Sequence, residues 1–293
     1  AAGLAGQPSL FLVQQDGHAV IHPQHPGHGG HQMFPRGGDE HQGVSLLPVP
    51  LDARQPLGVE PIAQHLLGEV VALLAEPRFG YVMELMDGLV PLQGLLDSFI
   101  NAENEASADY LRRGGLRRRI RILSQLARTL NQLHARGMLY GDLSPSNIFV
   151  SDDPAHSETW LIDCDNISLE THSGLTLHTA DYGAPEVVRG DALLSSLTDS
   201  WSFAVIAYQL LTHNHPFKGE LVSNGEPNEE EAALRGEHPW IYDTQDDTNQ
   251  CFANLPIQLV EHSKLPALFC RCFEQGLCSP CERPSMAEWL EAL

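Results

Sequence analysis

Lysine is nearly missing from this 293-residue sequence: Lys218 and Lys264 are the whole complement, beside fifteen arginines. With 38 acidic against 17 basic residues the formal charge is −21. So few cations argue against nucleic acid or an anionic membrane as the main partner, because phosphate binding needs a basic footprint. Long apolar runs are missing too; none approaches the ~20 residues of a membrane helix, so no membrane partner is expected. The start, Ala1-Ala2-Gly3-Leu4, has neither Met nor the basic-then-apolar layout of a signal peptide. The expectation is a soluble, cytoplasmic protein, with truncation left open. Cysteine is scarce and clustered, with five of six residues after position 250. That distribution is not a chain-wide disulfide framework, and a reducing compartment is expected.

What is present reads as a globular chain. Hydrophobic residues make up 42% and charged residues 19%, outside the range of disordered sequences. The length suits one large domain or two lobes. Composition divides the chain at about residue 77. Residues 1–77 are rich in His, Pro and Gly, with His18, His22, His25, His28, His31 and His41 and only Arg36 and Arg54 as cations. Leu57–Leu74 suits a helix or a buried strand equally. Phe79–Met86 reads as a strand ended by Asp87-Gly88, and Leu92–Ile100 as a short helix. Asn101–Asp109 reads as a loop or a helix extension. Helical spacing is clearest from Leu116 to Arg136, with Gly137 as the stop. Ser202–Leu211 is apolar nearly all round, and Ser285–Leu293 carries Trp289 and Leu290 on one face. Ile148-Phe149-Val150 and Trp160-Leu161-Ile162 read as short strands.

The chemistry concentrates in Tyr140-Gly141-Asp142-Leu143-Ser144-Pro145-Ser146-Asn147, followed by a strand and Leu161-Ile162-Asp163-Cys164-Asp165. An Asp and an Asn five apart on a tight loop can converge on one point, and a carboxylate ending the next strand can meet them. Two oxygen ligands, Asn147 and Asp163, suit Mg²⁺ shared with phosphates and water. Asp142 is then left to orient and deprotonate an attacking hydroxyl.

These residues resemble the protein kinase superfamily. Asp142, Leu143 and Asn147 fall at the spacing of the H-R-D-L-x-x-x-N loop, and Asp163 matches the metal-binding Asp of D-F-G. Ala184-Pro185-Glu186 matches A-P-E, preceded by Thr179-Ala180-Asp181-Tyr182. Asp199-Ser200-Trp201-Ser202 resembles the D-x-W-S helix, and Arg283-Pro284 the late Arg that pairs with the A-P-E Glu. The G-D-L-S-P-S-N loop and the D-x-D are similar to those of divergent bacterial Ser/Thr kinases. The resemblance implies an α+β, two-lobed, protein-kinase-like fold. Its C-terminal lobe, residues 78–293 with the hinge, would be mostly helical, and residues 1–77 would be an incomplete or atypical N-terminal lobe. It implies ATP and Mg²⁺ as cofactors, γ-phosphate transfer to Ser or Thr, and a protein substrate or regulatory protein as partner. By the same resemblance Met83, Glu84, Leu85 and Met86 form the hinge that meets adenine. Thr179 supports the substrate loop, and Glu186 pairs with Arg283. Tyr140-Gly141 stands where the family has His-Arg, so the Arg that reads an activation-loop phosphate is missing. Activation should then not depend on that phosphate. Ser168, Thr171, Ser173 and Thr176 are preferred as solvated hydroxyls over phosphosites.

Two family parts are absent. No lysine precedes residue 218, so the strand Lys is missing, and Gly27, Gly29, Gly30, Gly37 and Gly38 make no G-x-G-x-x-G. Ser144 also replaces a catalytic-loop Lys. Losing these cations removes electrostatic stabilisation of the transferring phosphoryl group. Three explanations stand: a pseudokinase acting as an interaction module, Arg54 or Arg78 as an imperfect substitute, or a first segment that is no natural N-lobe. The abrupt composition change favours the third. A small-molecule phosphotransferase of the aminoglycoside type shares the G-D-x-x-x-x-N loop and the D-x-D, but A-P-E, D-x-W-S and Arg283 argue against it. Cys270, Cys272, Cys278 and Cys281 could bind zinc, although buried free thiols are preferred. Arg117, Arg118, Arg119 and Arg121 are expected on a solvated helix face.

Overall fold

The computed structural model describes residues 88–100, 106–172, 178–251 and 263–293, and before them only four strands. The chain divides into two compact units; of the described residues, those up to Glu84 fall in the first and those from Gly88 onward in the second. The described part of the first unit is an antiparallel sheet of β1 (Leu10–Gln14), β2 (Leu46–Pro48), β3 (Val70–Leu74) and β4 (Gly80–Glu84) in the order β1-β4-β3-β2. Glu84 faces Leu10 and Met83 faces Phe11 across the β1–β4 pair. Pro48 sits on the edge strand β2, where a missing backbone donor is tolerated. Of the ambiguous Leu57–Leu74 stretch, the last five residues form β3. The histidine-rich segment, the early glycines, Arg54 and Arg78 lie outside the described residues.

The second unit is mostly helical. A small antiparallel sheet, β5 (Leu89–Pro91), β7 (Ile148–Ser151) and β8 (Thr159–Leu161), lies in the order β5-β7-β8. The two-residue strands β6 (Met138–Leu139) and β9 (Ser168–Leu169) pair separately. Helix α1 is Gln93–Ile100, α2 is Ala106–Arg112, and α3 is Gly115–His134. Ile122, Leu123, Leu126, Ala127, Leu130 and Leu133 of α3 recur every three to four residues and are almost fully buried. Gly137 follows with φ +69°, the left-handed turn that glycine takes without strain. The arginines at the start of α3 depart from a solvated face: Arg118 and Arg119 are buried, Arg117 and Arg121 exposed. Arg118 donates to the carbonyls of Ser151, His156 and Arg113, and the Arg119 guanidinium lies 4.2 Å over the Tyr110 ring.

After the four-residue helix α4 (Pro185–Val188) comes α5, Ser196–Thr212, buried along nearly its whole length. A reciprocal Ser195–Thr198 capping box starts it. Helices α6 (Glu220–Asn224), α7 (Asn228–Leu234) and α8 (Leu265–Cys270) follow. The α8 run continues through a π-helical turn, Arg271–Gln275. The last helix, α9 (Met286–Ala292), is capped by Ser285 and Glu288 and packs on α3, as α5 does. Trp201, Tyr208, Phe217, Trp240, Phe269, Phe273 and Trp289 form a continuous aromatic core around α5. Within it Cys272 is fully buried. Cys278 and Cys281 are exposed instead, and all four late thiols are free. Among the described residues no three His, Cys, Asp or Glu are gathered as a metal site.

Candidate active site

The loop that leaves β6 is held by one buried carboxylate. Asp199, in the first turn of α5, is 1% exposed. Its Oδ2 accepts from the Tyr140 backbone N–H at 2.7 Å, and its Oδ1 from the Gly141 N–H at 2.9 Å. His134 Nε2, at the end of α3, lies 3.0 Å from Oδ2. Three chain segments therefore converge on a single anion near a helix N-terminus, where negative charge is favoured. Gly141 has φ +92°, and a Cβ there would lie 3.2 Å from both the Asn166 carbonyl oxygen and Leu139 Cδ1. The Tyr140 hydroxyl donates to the Ile162 carbonyl. Burial, reinforced by Cys164, Asp163, Asp142 and Asp199, pushes this phenol well above its usual range, so it stays a neutral donor. It ties the loop to the chain just beyond β8.

Asp142 projects from this support with both oxygens engaged. Its Oδ1 accepts from the backbone N–H and the hydroxyl of Thr179, at 2.8 and 2.7 Å. Asn147 Nδ2 donates to the Asp142 backbone oxygen at 3.0 Å and to Oδ2 at 3.3 Å. The Asn147 amide nitrogen is thus turned onto Asp142, leaving its amide oxygen as the group it can offer a cation. The β7–β8 pairing sets Ile148 opposite Leu161, and Ile162 N–H donates to the Asn147 carbonyl at 3.0 Å. Asp163 follows directly, exposed and with φ +53°, a conformation Asp tolerates better than most residues. One carboxylate and one amide oxygen are hard donors of the kind Mg²⁺ takes, so the residues present fit that ion. Ser144 is 1% exposed, its hydroxyl without a hydrogen-bond partner among the described groups. Met83 and Glu84 lie on β4 of the first unit; Leu85 and Met86 fall outside the described residues.

The segment carrying Thr179 is clamped from behind. Tyr182 N–H donates to the Thr179 carbonyl at 3.2 Å, and Ser202 Oγ of α5 donates to the Tyr182 carbonyl at 2.8 Å. Between them Asp181 takes φ +76°. His215 Nε2 lies 3.0 Å from its carbonyl oxygen, and Lys218 Nζ bridges its Oδ1 (2.8 Å) to Glu230 (2.7 Å). His215 Nδ1 accepts from Phe217 N–H, so the ring is a neutral Nε2–H tautomer. Burial first, and the Lys218 ammonium as well, pull its pKa down to about 4. The Lys218 amine is pulled down by burial, but its bonds to Asp181 and Glu230 outweigh this and raise it.

Glu186 and Arg283 meet as a buried fork, with Nη1–Oε1 and Nη2–Oε2 both 2.7 Å. Arg283 also donates to the Gly276 and Leu197 carbonyls and lies 4.8 Å over the Trp201 ring. Sequence reading placed Asp142, Asn147, Asp163, Thr179, Glu186 and Arg283 at the candidate site but gave Asp199, His134, Tyr140 and Ser202 no role in it. The signal for Asp199 was its place as the Asp of Asp199-Ser200-Trp201-Ser202, directly ahead of a run apolar nearly all round.

The protein kinase domain model matches residues 76–292. Over 147 residues the chain is 33% identical to ribosomal protein S6 kinase alpha-3 of Mus musculus, covering 48% of this chain and 18% of that protein. It is 32% identical over 132 residues to serine/threonine-protein kinase pkn2 of Myxococcus xanthus, covering 42% and 16%. With ribosomal protein S6 kinase alpha-6 of Danio rerio it shares 34% over 169 residues, covering 55% and 20%. The matched stretches span a fifth or less of these relatives.

Proposed function

This chain belongs to the protein kinase family, and we propose that it serves phosphoryl transfer from Mg–ATP to a Ser or Thr hydroxyl of a protein. The observation that carries this reading is the Asp142 carboxylate, held by Thr179 on one oxygen and Asn147 on the other. Asp142 would accept the proton of the attacking hydroxyl and orient it. Asn147 and Asp163 would hold Mg²⁺, which when bound neutralises charge on the phosphates. Backbone groups of Met83 to Met86 would meet adenine. Thr179, through its two bonds to Asp142, couples the substrate loop to the base. Relatives named as serine/threonine kinases support the same acceptor class.

The absence of any Lys before residue 218 favours a second reading, a pseudokinase that keeps the fold as an interaction module. The two separate by experiment. Phosphate transfer to a generic protein substrate is measured for the wild type and Asp142→Ala, with melting temperatures taken with and without Mg–ATP. A ligand at 100 times its dissociation constant adds about 2.7 kcal/mol. The first reading expects a thermal shift in both proteins and transfer only in the wild type. A shift without transfer, or no shift at all, overturns it in favour of the second.

A further inference from the structure

The chain between Asp163 and Thr179 has no Arg from the catalytic loop to read a phosphate, because Gly141 stands in that place. A different tie is present. Glu170 Oε1 accepts from the backbone N–H of Ser196 at 3.2 Å and from its hydroxyl at 2.8 Å. The Glu170 N–H donates to the Gly137 carbonyl at 2.9 Å, directly beyond the β6–β9 pairing of Met138–Leu139 with Ser168–Leu169. We propose that Glu170 is a positioning residue, its carboxylate latching this segment to the start of α5 so that the substrate loop is set without a phosphate. The role in transfer rests on the kinase reading above; the latch itself does not.

The physical case has three parts. Ser196 is the first residue of α5, so its N–H is among the donors that a helix leaves unpaired at its start. A carboxylate there gains from the helix dipole as well as from the two bonds. The same helix turn carries Asp199, which holds Tyr140 and Gly141. Catalytic loop and incoming segment are therefore both referenced to one rigid element. The far end of the segment is fastened by Thr179 on Asp142, so Glu170 sets the near end. Because Glu170 is exposed, water competes for its oxygens and the expected effect is a few-fold change rather than collapse.

The test compares the full chain with Glu170→Ala and Glu170→Gln by amide hydrogen exchange, and by transfer kinetics on a protein substrate. Glu170→Ala should speed exchange at residues 168–172 and at Ser196 about threefold to tenfold, the net worth of an ordinary hydrogen bond once water competes for the carboxylate. Glu170→Gln, which keeps an acceptor, should fall between. The KM for protein should rise by a similar factor, while the Mg–ATP thermal shift stays at the wild-type value. Exchange unchanged at these amides, or raised uniformly over the whole chain, would overturn the latch. If the wild type transfers no phosphate, the kinase reading fails and exchange still decides the latch. If it transfers normally and neither exchange nor KM responds to Glu170→Ala, the latch alone fails.

Discussion

Replacing Asp199 by Asn should cost the fold about 2–4 kcal/mol although the side chain hardly changes shape. The two carboxylate oxygens divide the donors: Gly141 N–H on Oδ1, Tyr140 N–H and His134 on Oδ2. An amide keeps only one oxygen. Whichever way it turns, at least one backbone N–H faces an NH₂ group at a position 1% exposed. A buried donor left without its partner costs about 1–3 kcal/mol, and the remaining bonds lose the benefit of a charged acceptor. All four tryptophans, Trp160, Trp201, Trp240 and Trp289, lie in the second unit. Urea unfolding followed by tryptophan fluorescence therefore reads the relevant part, and the loss should appear as a lower midpoint at unchanged slope. Hydrogen exchange should show the Tyr140 and Gly141 amides losing more protection than the α3 core. A cost below about 1 kcal/mol, or protection unchanged at those two amides, would refute the claim that Asp199 holds the loop.

Arg283→Met should destabilise by about 3–5 kcal/mol, because it strands the buried Glu186 carboxylate; adding Glu186→Leu should recover part of the loss in the same urea assay. Asp142→Asn should lower phosphate transfer by about a hundredfold to ten-thousandfold, with the Mg–ATP thermal shift retained. His215 is held neutral in the fold, at about 4 against an ordinary 6.5, so the unfolded chain binds the extra proton. Its stabilisation is fully present above pH 6.5 and is lost as the pH falls toward 4, up to about 3 kcal/mol. His215→Gln should flatten the fall in melting temperature between pH 7 and 4.5 relative to wild type. Phe273→Ala should cost about 3–5 kcal/mol by opening a cavity against Trp201, Tyr208 and Phe269.

Several elements could be read from local pattern. The α3 stripe, the strand at Ile148 and the α9 start at Ser285 each follow from spacing or capping chemistry within a dozen residues. The loop Asp142 to Asn147 was legible for the same reason, since one tight turn sets both groups. The four arginines of Arg117–Arg121 show where such reading stops. Their spacing looks like a charged solvent face, yet Arg118 is drawn inward by carbonyls of Ser151 and His156, more than thirty residues away. The late cysteines mix both cases: Cys272 falls on the core side of a helical run, whereas Cys278 and Cys281 lie where that run ends and stay exposed.

The near-absence of lysine, the acidic excess, the spacing of Asp142, Asn147 and Asp163 and the helical periodicities are properties of order along the chain. They set the chemistry available; the family followed from the resemblance of the Asp142–Asn147, A-P-E and D-x-W-S motifs and from the domain match over residues 76–292. Which oxygen of Asp142 meets Thr179, and that Asp199 holds the loop at Tyr140 and Gly141, depended on the folded chain. So did the seating of Glu170 on Ser196. Hydrogen-bond partners 26 to 59 residues apart leave no periodic trace, because packing in three dimensions alone brings them within three ångströms or so.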